Sequence, residues 1–383
     1  MRRIHEQPRP YQVCTNCVMD TSDSQIQFDD KGVCDHCRNY YENIRPNWHP
    51  DETGARELER IADEIRCYGK GRRHDCLIGL SGGLDSSYVT YLAKERLGLR
   101  PLVFTVNTGW NLEVADRNID RIVRGLGVDV HEETVDWEEM KDLQKAFLKS
   151  QVPYQDTPQD HAIFAALYNY AAANEFRYVL TGGNYSTECV REPNEWVHAN
   201  DLRLLKDIHR RFGTRPLKIF PMCSIFRYRV YYRYVKGMRI IQPLNMIPYR
   251  KELAIKELSE RFGWEPYGNK HFENLFTRFY EGYWLPKKFG YDKRRAHFSS
   301  LVLTGQMTRD EALGILAQPP YDERTAMDDL RQIASRLDMT EDELVALMNG
   351  ENRTYRDYKS SLGFINLAVG LARLLGLERR NLR

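Results

Sequence analysis

The residues best suited to chemistry form one run, Ser81-Gly82-Gly83-Leu84-Asp85-Ser86-Ser87. It follows the apolar stretch Cys76-Leu77-Ile78-Gly79-Leu80, which suits a strand buried on both faces, and leads into an amphipathic helical stretch over residues 88–97. A strand, a glycine turn and a helix N-terminus together make an anion site. The first-turn amides lack intrahelical partners, and the positive end of the helix dipole faces the ligand. Gly82 and Gly83 allow close approach of the backbone to a phosphate, and the hydroxyls of Ser81, Ser86 and Ser87 can add hydrogen bonds. Asp85 is a carboxylate beside an anion, which makes electrostatic sense if it helps to hold magnesium, an ion bound through one or two carboxylates plus phosphate oxygens. The plain alternative is a serine-rich helix cap. It leaves unexplained why nearly every position is small or phosphate-competent.

The spacing matches neither Gly-x-x-x-x-Gly-Lys-Ser/Thr nor Gly-x-Gly-x-x-Gly. It resembles the Ser-Gly-Gly-x-Asp-Ser loop of the PP-loop ATP pyrophosphatases, the superfamily of asparagine, GMP and NAD synthetases and of tRNA thiolases. The resemblance implies cleavage of ATP between its α- and β-phosphates and adenylation of a carbonyl-type oxygen, which a nitrogen or sulfur nucleophile then displaces. It assigns Leu80, Ser81, Gly82, Gly83, Asp85, Ser86 and Ser87 to ATP, with Ser81 and Asp85 also catalytic. Val106 and Asn107, at the end of the second expected strand, become nucleotide contacts by resemblance alone. Gln242-Pro243-Leu244-Asn245, running on to Arg250-Lys251-Glu252, has the form of a segment these enzymes carry after the last strand, and marks Lys251 as catalytic.

Positioning such a loop requires an open sheet. Strands are expected over 76–80, 101–108, 128–135 and 178–181, alternating with helices over 57–65, 113–126, 138–147 and 159–176. That alternation predicts a doubly wound parallel α/β sheet, with ligands beyond the carboxyl ends of the strands. Thr181-Gly182-Gly183-Asn184 is a second glycine-rich strand exit, so Gly182, Gly183 and Asn184 are expected to lie against ATP. Asp160 and His161 stand at a helix start facing the same crevice, Asp160 being equally suited to a cap. The run 226–234 interleaves aromatics with arginines. A helix with packed tyrosines and snorkelling arginines is favoured there over a single-strand nucleic-acid site.

Ahead of this domain, Cys14-x2-Cys17 and Cys34-x2-Cys37 are separated by 16 residues, a spacing that reads as a four-cysteine zinc site, structural when closed. A thioredoxin-like pair would need its own βαβ unit, and an iron–sulfur cluster fits the spacing less well. His36 is redundant with four cysteines, and residues 26–33 suit a short hairpin turning at 30–32. Three regions follow: a zinc module over 1–49, a nucleotide domain over 50–250, and a helical C-terminal region over 251–383. The last holds expected helices over 252–262, 271–283, 309–317, 323–337, 341–348 and 355–375, with capped starts at Thr308 and Thr340. Within it, Lys287, Lys288, Lys293, Arg294 and Arg295 form a basic loop expected to meet pyrophosphate or substrate, Lys288 and Arg294 as catalytic cations. Lys270 and His271 are a second candidate pair for that pocket.

The chain of 383 residues balances 56 basic against 54 acidic side chains, so no global charge argues for nucleic acid. No run approaches the roughly 18 apolar residues of a membrane span, and the start lacks a signal peptide's apolar segment, which leads us to expect a cytoplasmic protein. Position 2 is Arg, not the nucleophilic Cys of a fused glutaminase. From Cys-Thr-Asn-Cys-Val-Met-Asp-Thr-Ser-Asp, through the Ser-Gly-Gly loop, to Lys-Lys-Phe-Gly-Tyr-Asp-Lys-Arg-Arg and Leu-Thr-Gly-Gln-Met-Thr-Arg-Asp-Glu-Ala, the chain resembles the N-acetyl sugar amidotransferase family. That resemblance implies conversion of an acetamido group on a nucleotide-linked or surface-polysaccharide sugar to an acetamidino group, using ATP, magnesium and a structural zinc. It further implies ammonia from a glutaminase related to that of histidine biosynthesis, delivered through a cyclase-like barrel. A PP-loop tRNA-thiolating enzyme is the competing reading, with Cys189 and Cys223 as its sulfur carriers.

Overall fold

The computed structural model describes residues 10–193, 195–196, 201–268, 270–363 and 367. Its centre is a five-stranded sheet ordered β3-β2-β1-β4-β5, with β1 Cys76–Gly79, β2 Pro101–Asn107, β3 Asp129–Thr134, β4 Tyr178–Leu180 and β5 Arg239–Ile241. Every neighbouring pair is parallel. Alternate side chains leave opposite faces of a strand, which splits the core in two. Cys76, Ile78, Val103 and Leu180 pack on one face with the helices Glu52–Tyr68, Leu84–Tyr91 and Glu113–Leu126. Leu77, Leu102, Phe104 and Val179 pack on the other with the helix Thr157–Ala173. Burial on both faces explains why β1, β2 and β4 are continuous apolar runs, whereas the edge strand β3 carries a polar, largely exposed sequence.

The sheet is the doubly wound arrangement expected. β5 went undelimited, because three residues at a sheet edge show no readable alternation. The helix after the loop starts at Leu84, four residues before the expected 88, since Gly83 already occupies its N-cap. Among the described residues the zinc module adds no strand to the sheet: it has the isolated bridges Val13 with Asp20 and Phe28 with Cys34, followed by a short helical stretch that begins with Asp35–Asn39. A turn closes there over Asp29 to Gly32, whose φ of +77° requires the left-handed region that glycine tolerates.

Packing crosses the expected boundary at 250. The helix Lys251–Phe262 buries Ala254 and Leu258 in the first core, while Trp110 and Leu148 join a cluster made mainly by residues 275–285 and 326–344. Asn274 caps the helix that begins at Leu275, its Oδ1 accepting from Thr277 N at 3.0 Å, so residues 271–274 are loop instead of the expected helix. Both capping boxes form, at Thr308 with Glu311 and at Thr340 with Glu343. Of the helix expected over 355–375, residues Tyr355–Asp357 form one tight turn, and 364–366 and 368–375 lie outside the described residues.

Candidate active site and cysteine cluster

The loop after β1 is shaped by its own hydroxyls. Ser81 N donates to Ser86 Oγ at 3.2 Å, the two hydroxyls lie 3.2 Å apart, and Gly83 N donates to Ser81 Oγ at 3.3 Å. Gly82 has φ +79°, and a Cβ there would stand 2.5 Å from the Ala115 carbonyl oxygen. A Cβ on Gly182 would come within 2.9 Å of the Asp85 and Ser86 backbone, so the exits of β1 and β4 touch. That contact is the switch point where strand order reverses, and a cavity of about 810 Å³ opens beside it. Leu80, Ser81, Val106, Gly182 and Asn184 line it; a smaller adjoining cavity of about 200 Å³ is lined by Ser81, Gly83, Asp85 and Ser86.

Other expected nucleotide contacts point elsewhere. Ser87 is fully buried beneath the loop and its hydroxyl has no hydrogen-bond partner. The Asn107 side chain accepts from Gly109 N at 2.9 Å and shapes its own turn. Gly82 faces inward, its carbonyl accepting from Trp264 Nε1 at 3.2 Å, and Gly183 abuts Gln242. His161 is turned to the Cys223 amide at 3.2 Å, away from the crevice, whereas Asp160 lines the large cavity.

The cations sort by distance from the loop. Lys270 lies between Asp85, at 3.4 Å, and Glu188. Burial acts against its charge, but Glu188 and Asp85 outweigh it and hold the ammonium protonated. Lys251 lines both cavities, has no ion-pair partner among the described residues, and is pulled below the ordinary lysine range by burial. Asp85 also accepts from the Tyr249 hydroxyl at 2.6 Å, a contact that no motif signalled. His271, in the left-handed region at φ +66°, and His297 line both cavities. Desolvation, with Lys270 nearby, keeps both rings neutral and pushes His297 down to about 3.

The basic segment does not act as one loop. Lys293 and Arg294 line the large cavity, but three of its cations are engaged elsewhere. Lys287 pairs with Glu323 at 2.8 Å on the outer surface. Lys288 caps the carbonyls of Met348 and Gly350 at 3.0 and 2.7 Å. Arg295 ties Asp20 at 2.9 Å and the Val18 carbonyl at 2.8 Å, fastening the cysteine module to the body. Helical geometry is the reason: Lys287 and Lys288 lie on one helix, Leu285–Phe289, and Arg294 and Arg295 begin another, Arg294–Leu303, so consecutive side chains fan outward. Arg294 itself is held by Asp292 at 2.7 Å.

Beyond Asp85 and Asp160, sequence reasoning missed the acids of the site. Lys293 pairs with Glu192 at 3.1 Å and with Glu281, and Asp156 and Asp160 line the same end of the cavity. Burial raises Glu281 to about 7 and Asp160 to about 6. Glu273 is 8% exposed and lines both cavities. Its Oε1 sits 2.9 Å from where a Gly83 Cβ would be, its Oε2 has no partner, and burial raises it to about 7. The one available signal was its place two residues after the Lys270-His271 pair.

Cys14, Cys17, Cys34 and Cys37 are all fully buried, with their sulfurs within 4.8 Å of one another. The Cys14–Cys37, Cys17–Cys34 and Cys34–Cys37 sulfur pairs are 3.8, 3.6 and 3.6 Å apart. A tetrahedron with Zn–S near 2.3 Å has edges of about 3.8 Å, so the cluster can bind zinc. His36 is held by Asp23 at 2.8 Å and stays out of it.

Two families match the chain. The family described as LPS biosynthesis protein WbpG-like, C-terminal domain, matches residues 273–369, and asparagine synthase matches residues 74–183. No curated protein matches. Among solved structures, an NH3-dependent NAD synthetase from Campylobacter jejuni is 21% identical over 35% of this chain, with TM-score 0.27. The match spans 58% of that enzyme's length. NMN synthetase from Francisella tularensis is 15% identical over 76% of this chain and 94% of its own, with TM-score 0.30. A predicted subunit of tRNA methyltransferase from Methanocaldococcus jannaschii is 17% identical over 48% and 75%, with TM-score 0.27. Together, the asparagine-synthase match across the loop and the WbpG-like match across the region that closes the cavity support a sugar amidotransferase-like family of the PP-loop superfamily for this chain.

Proposed function

We propose that the protein is an ATP-dependent, AMP-forming amidotransferase that converts the acetamido group of an N-acetylated, UDP-linked sugar to an acetamidino group in lipopolysaccharide or O-antigen synthesis. The observation that carries this reading is the cavity at the β1–β4 switch point. It joins the Ser-Gly-Gly loop and two cations, Lys251 and Lys270, to a polar chamber contributed by the region matching the WbpG-like family.

In the first step the acetamido oxygen attacks the α-phosphorus of ATP. The bond from that phosphorus to the bridging oxygen breaks, pyrophosphate leaves with the electron pair, and the amide nitrogen gives its proton to solvent, leaving an O-adenylated imidate. Ser81, Gly83 and the Leu84–Tyr91 helix N-terminus sit where the departing charge develops, and Lys251 and Lys270 offset it. Lys251 is suited to this because no ion pair engages its charge among the described residues. Asp85 and Glu188, which share Lys270, are the carboxylates that would hold magnesium, and magnesium when bound neutralises phosphate charge. Ammonia then adds to the imidate carbon and AMP leaves. Positioning and electrostatics suffice, with no covalent protein nucleophile. The nitrogen is supplied by a partner glutaminase of the histidine-biosynthesis type through a cyclase-like barrel, and the four-cysteine cluster holds a structural zinc.

The thiolation reading needs a reactive sulfur. Cys189 and Cys223 are buried, and burial raises both thiols, Cys189 to about 12, which counts against it. The test is incubation with ATP, magnesium, ammonium and a UDP-linked diacetamido sugar. AMP together with a sugar product one mass unit lighter supports the proposal; formation of ADP, or turnover that requires tRNA, overturns it.

A further inference from the structure

The acidic end of the cavity has no part in holding phosphates. Among the described residues, Asp156, Asp160, Glu192 and Glu281 gather around Lys293, which pairs with Glu192 and Glu281; Arg294 is already paired with Asp292, and the exposed Arg191 is the other arginine lining the cavity. This surplus of carboxylates lies next to a site where a triphosphate must bind, so it recognises something other than phosphate. Glu273 stands between the two ends. Its Oε1 overhangs Gly83 of the loop, its charged neighbours are Asp85 and Lys270 on one side and Glu281 on the other, and the Tyr267 phenol faces it. It is more than nine-tenths buried, and its Oε2 meets no donor among the described residues. Its position is fixed by a polar chain. The next residue, Asn274, donates to Gln159 Oε1 at 2.9 Å, and Gln159 Nε2 donates to Asp156 at 2.7 Å and to Thr277 at 3.1 Å.

On the amidotransferase reading, we propose that the carboxylate-lined end of the cavity is an ammonium site and that Glu273 takes the proton that converts ammonium to the attacking ammonia. Ammonium is a compact cation with four donors and no acceptor, which suits a chamber rich in carboxylate oxygens. One N–H bond of ammonium breaks and its proton passes to the Glu273 carboxylate. The freed nitrogen pair forms a bond to the imidate carbon, and a second of its protons moves to the imidate nitrogen. The carbon–oxygen bond to AMP then breaks, with AMP taking the electron pair. The product is an amidinium, a cation formed beside the same carboxylates, so the chamber stabilises charge as it develops. Glu273 returns its proton to solvent.

The experiment compares two nitrogen donors with the UDP-linked diacetamido sugar at neutral pH: ammonium, almost wholly protonated, and hydroxylamine, largely uncharged. In Glu273→Gln, product formation from ammonium should fall roughly 10²–10⁴-fold, while formation of the hydroxylamine product falls at least tenfold less. Glu273→Asp should recover part of the ammonium rate. Equal losses with both amines would show a merely structural role, and retention of the ammonium rate would remove Glu273 from the reaction; either overturns the inference. Exchange of label between pyrophosphate and ATP in the wild-type enzyme, dependent on the sugar, tests the adenylation reading separately. Without that exchange the amidotransferase reading itself fails, whatever Glu273 does.

Discussion

At the scale of residues, the site stores groups in states that folding alone disfavours. Lys251 keeps an ammonium in an enclosed position with no ion-pair partner among the described residues, a cost accepted where a transition state supplies the missing negative charge. Lys251→Met should therefore raise the thermal midpoint while lowering AMP formation about 10²-fold or more; an unchanged rate would remove Lys251 from the machinery. Glu273 makes the same point with pH. Its carboxyl is raised to about 7, so the folded protein holds a proton that the unfolded chain releases above about pH 4.3. The stability penalty grows as pH rises through that window and is complete above it. Glu273→Gln should melt higher than wild type at about pH 8, with the difference vanishing near pH 4. Asp85→Asn removes a charge that anchors Lys270 and, in our proposal, magnesium, and is expected to lower AMP formation by at least 10²-fold with the fold retained by circular dichroism.

At the scale of elements, two backbone exits have to touch. Gly82 needs a left-handed φ and has no room for a Cβ against the Ala115 carbonyl, and Gly182 presses on the first turn of the Leu84–Tyr91 helix. Gly82→Ala combines conformational strain of order 1–3 kcal/mol with a backbone clash, so it should lower the melting temperature by several degrees and weaken ATP binding together. A variant that melted and bound ATP like wild type would contradict the packing of this junction. The cap at Asn274 matters for the same reason. By starting its helix at Leu275 it leaves Lys270, His271 and Glu273 on a loop that crosses the cavity, where a helix would have fanned them apart.

At the scale of the whole molecule, the cysteine cluster is built into the body. Its sulfurs share a core with Val190, Trp196 and Ala296, while Arg309 donates to the carbonyls of Cys14 and Cys17 and Arg295 to that of Val18. A strong chelator should release one zinc per chain and lower the melting temperature of the entire protein. Arg309→Ala should hasten that release. Release of zinc with no change in melting would show that the module is independent of the rest. Among the described residues no helix is long and apolar enough to cross a membrane.

What the sequence determined by itself was whatever depends on near neighbours in the chain. The Ser-Gly-Gly loop with Asp85, the cysteine spacing, the apolar strands and the capping boxes at Thr308 and Thr340 are local patterns whose physics acts within a few residues. Tertiary structure alone decided which charges meet. Lys287, Lys288 and Arg295 sit beside Lys293 in the sequence but are carried outward by their helices. Glu192 comes from a distant segment to join Glu281 around Lys293, and Tyr249 and Lys270 converge on Asp85. Burial decided the rest, because the state of a carboxyl such as Glu273 depends on how much water and charge surround it, and only the packed chain sets that.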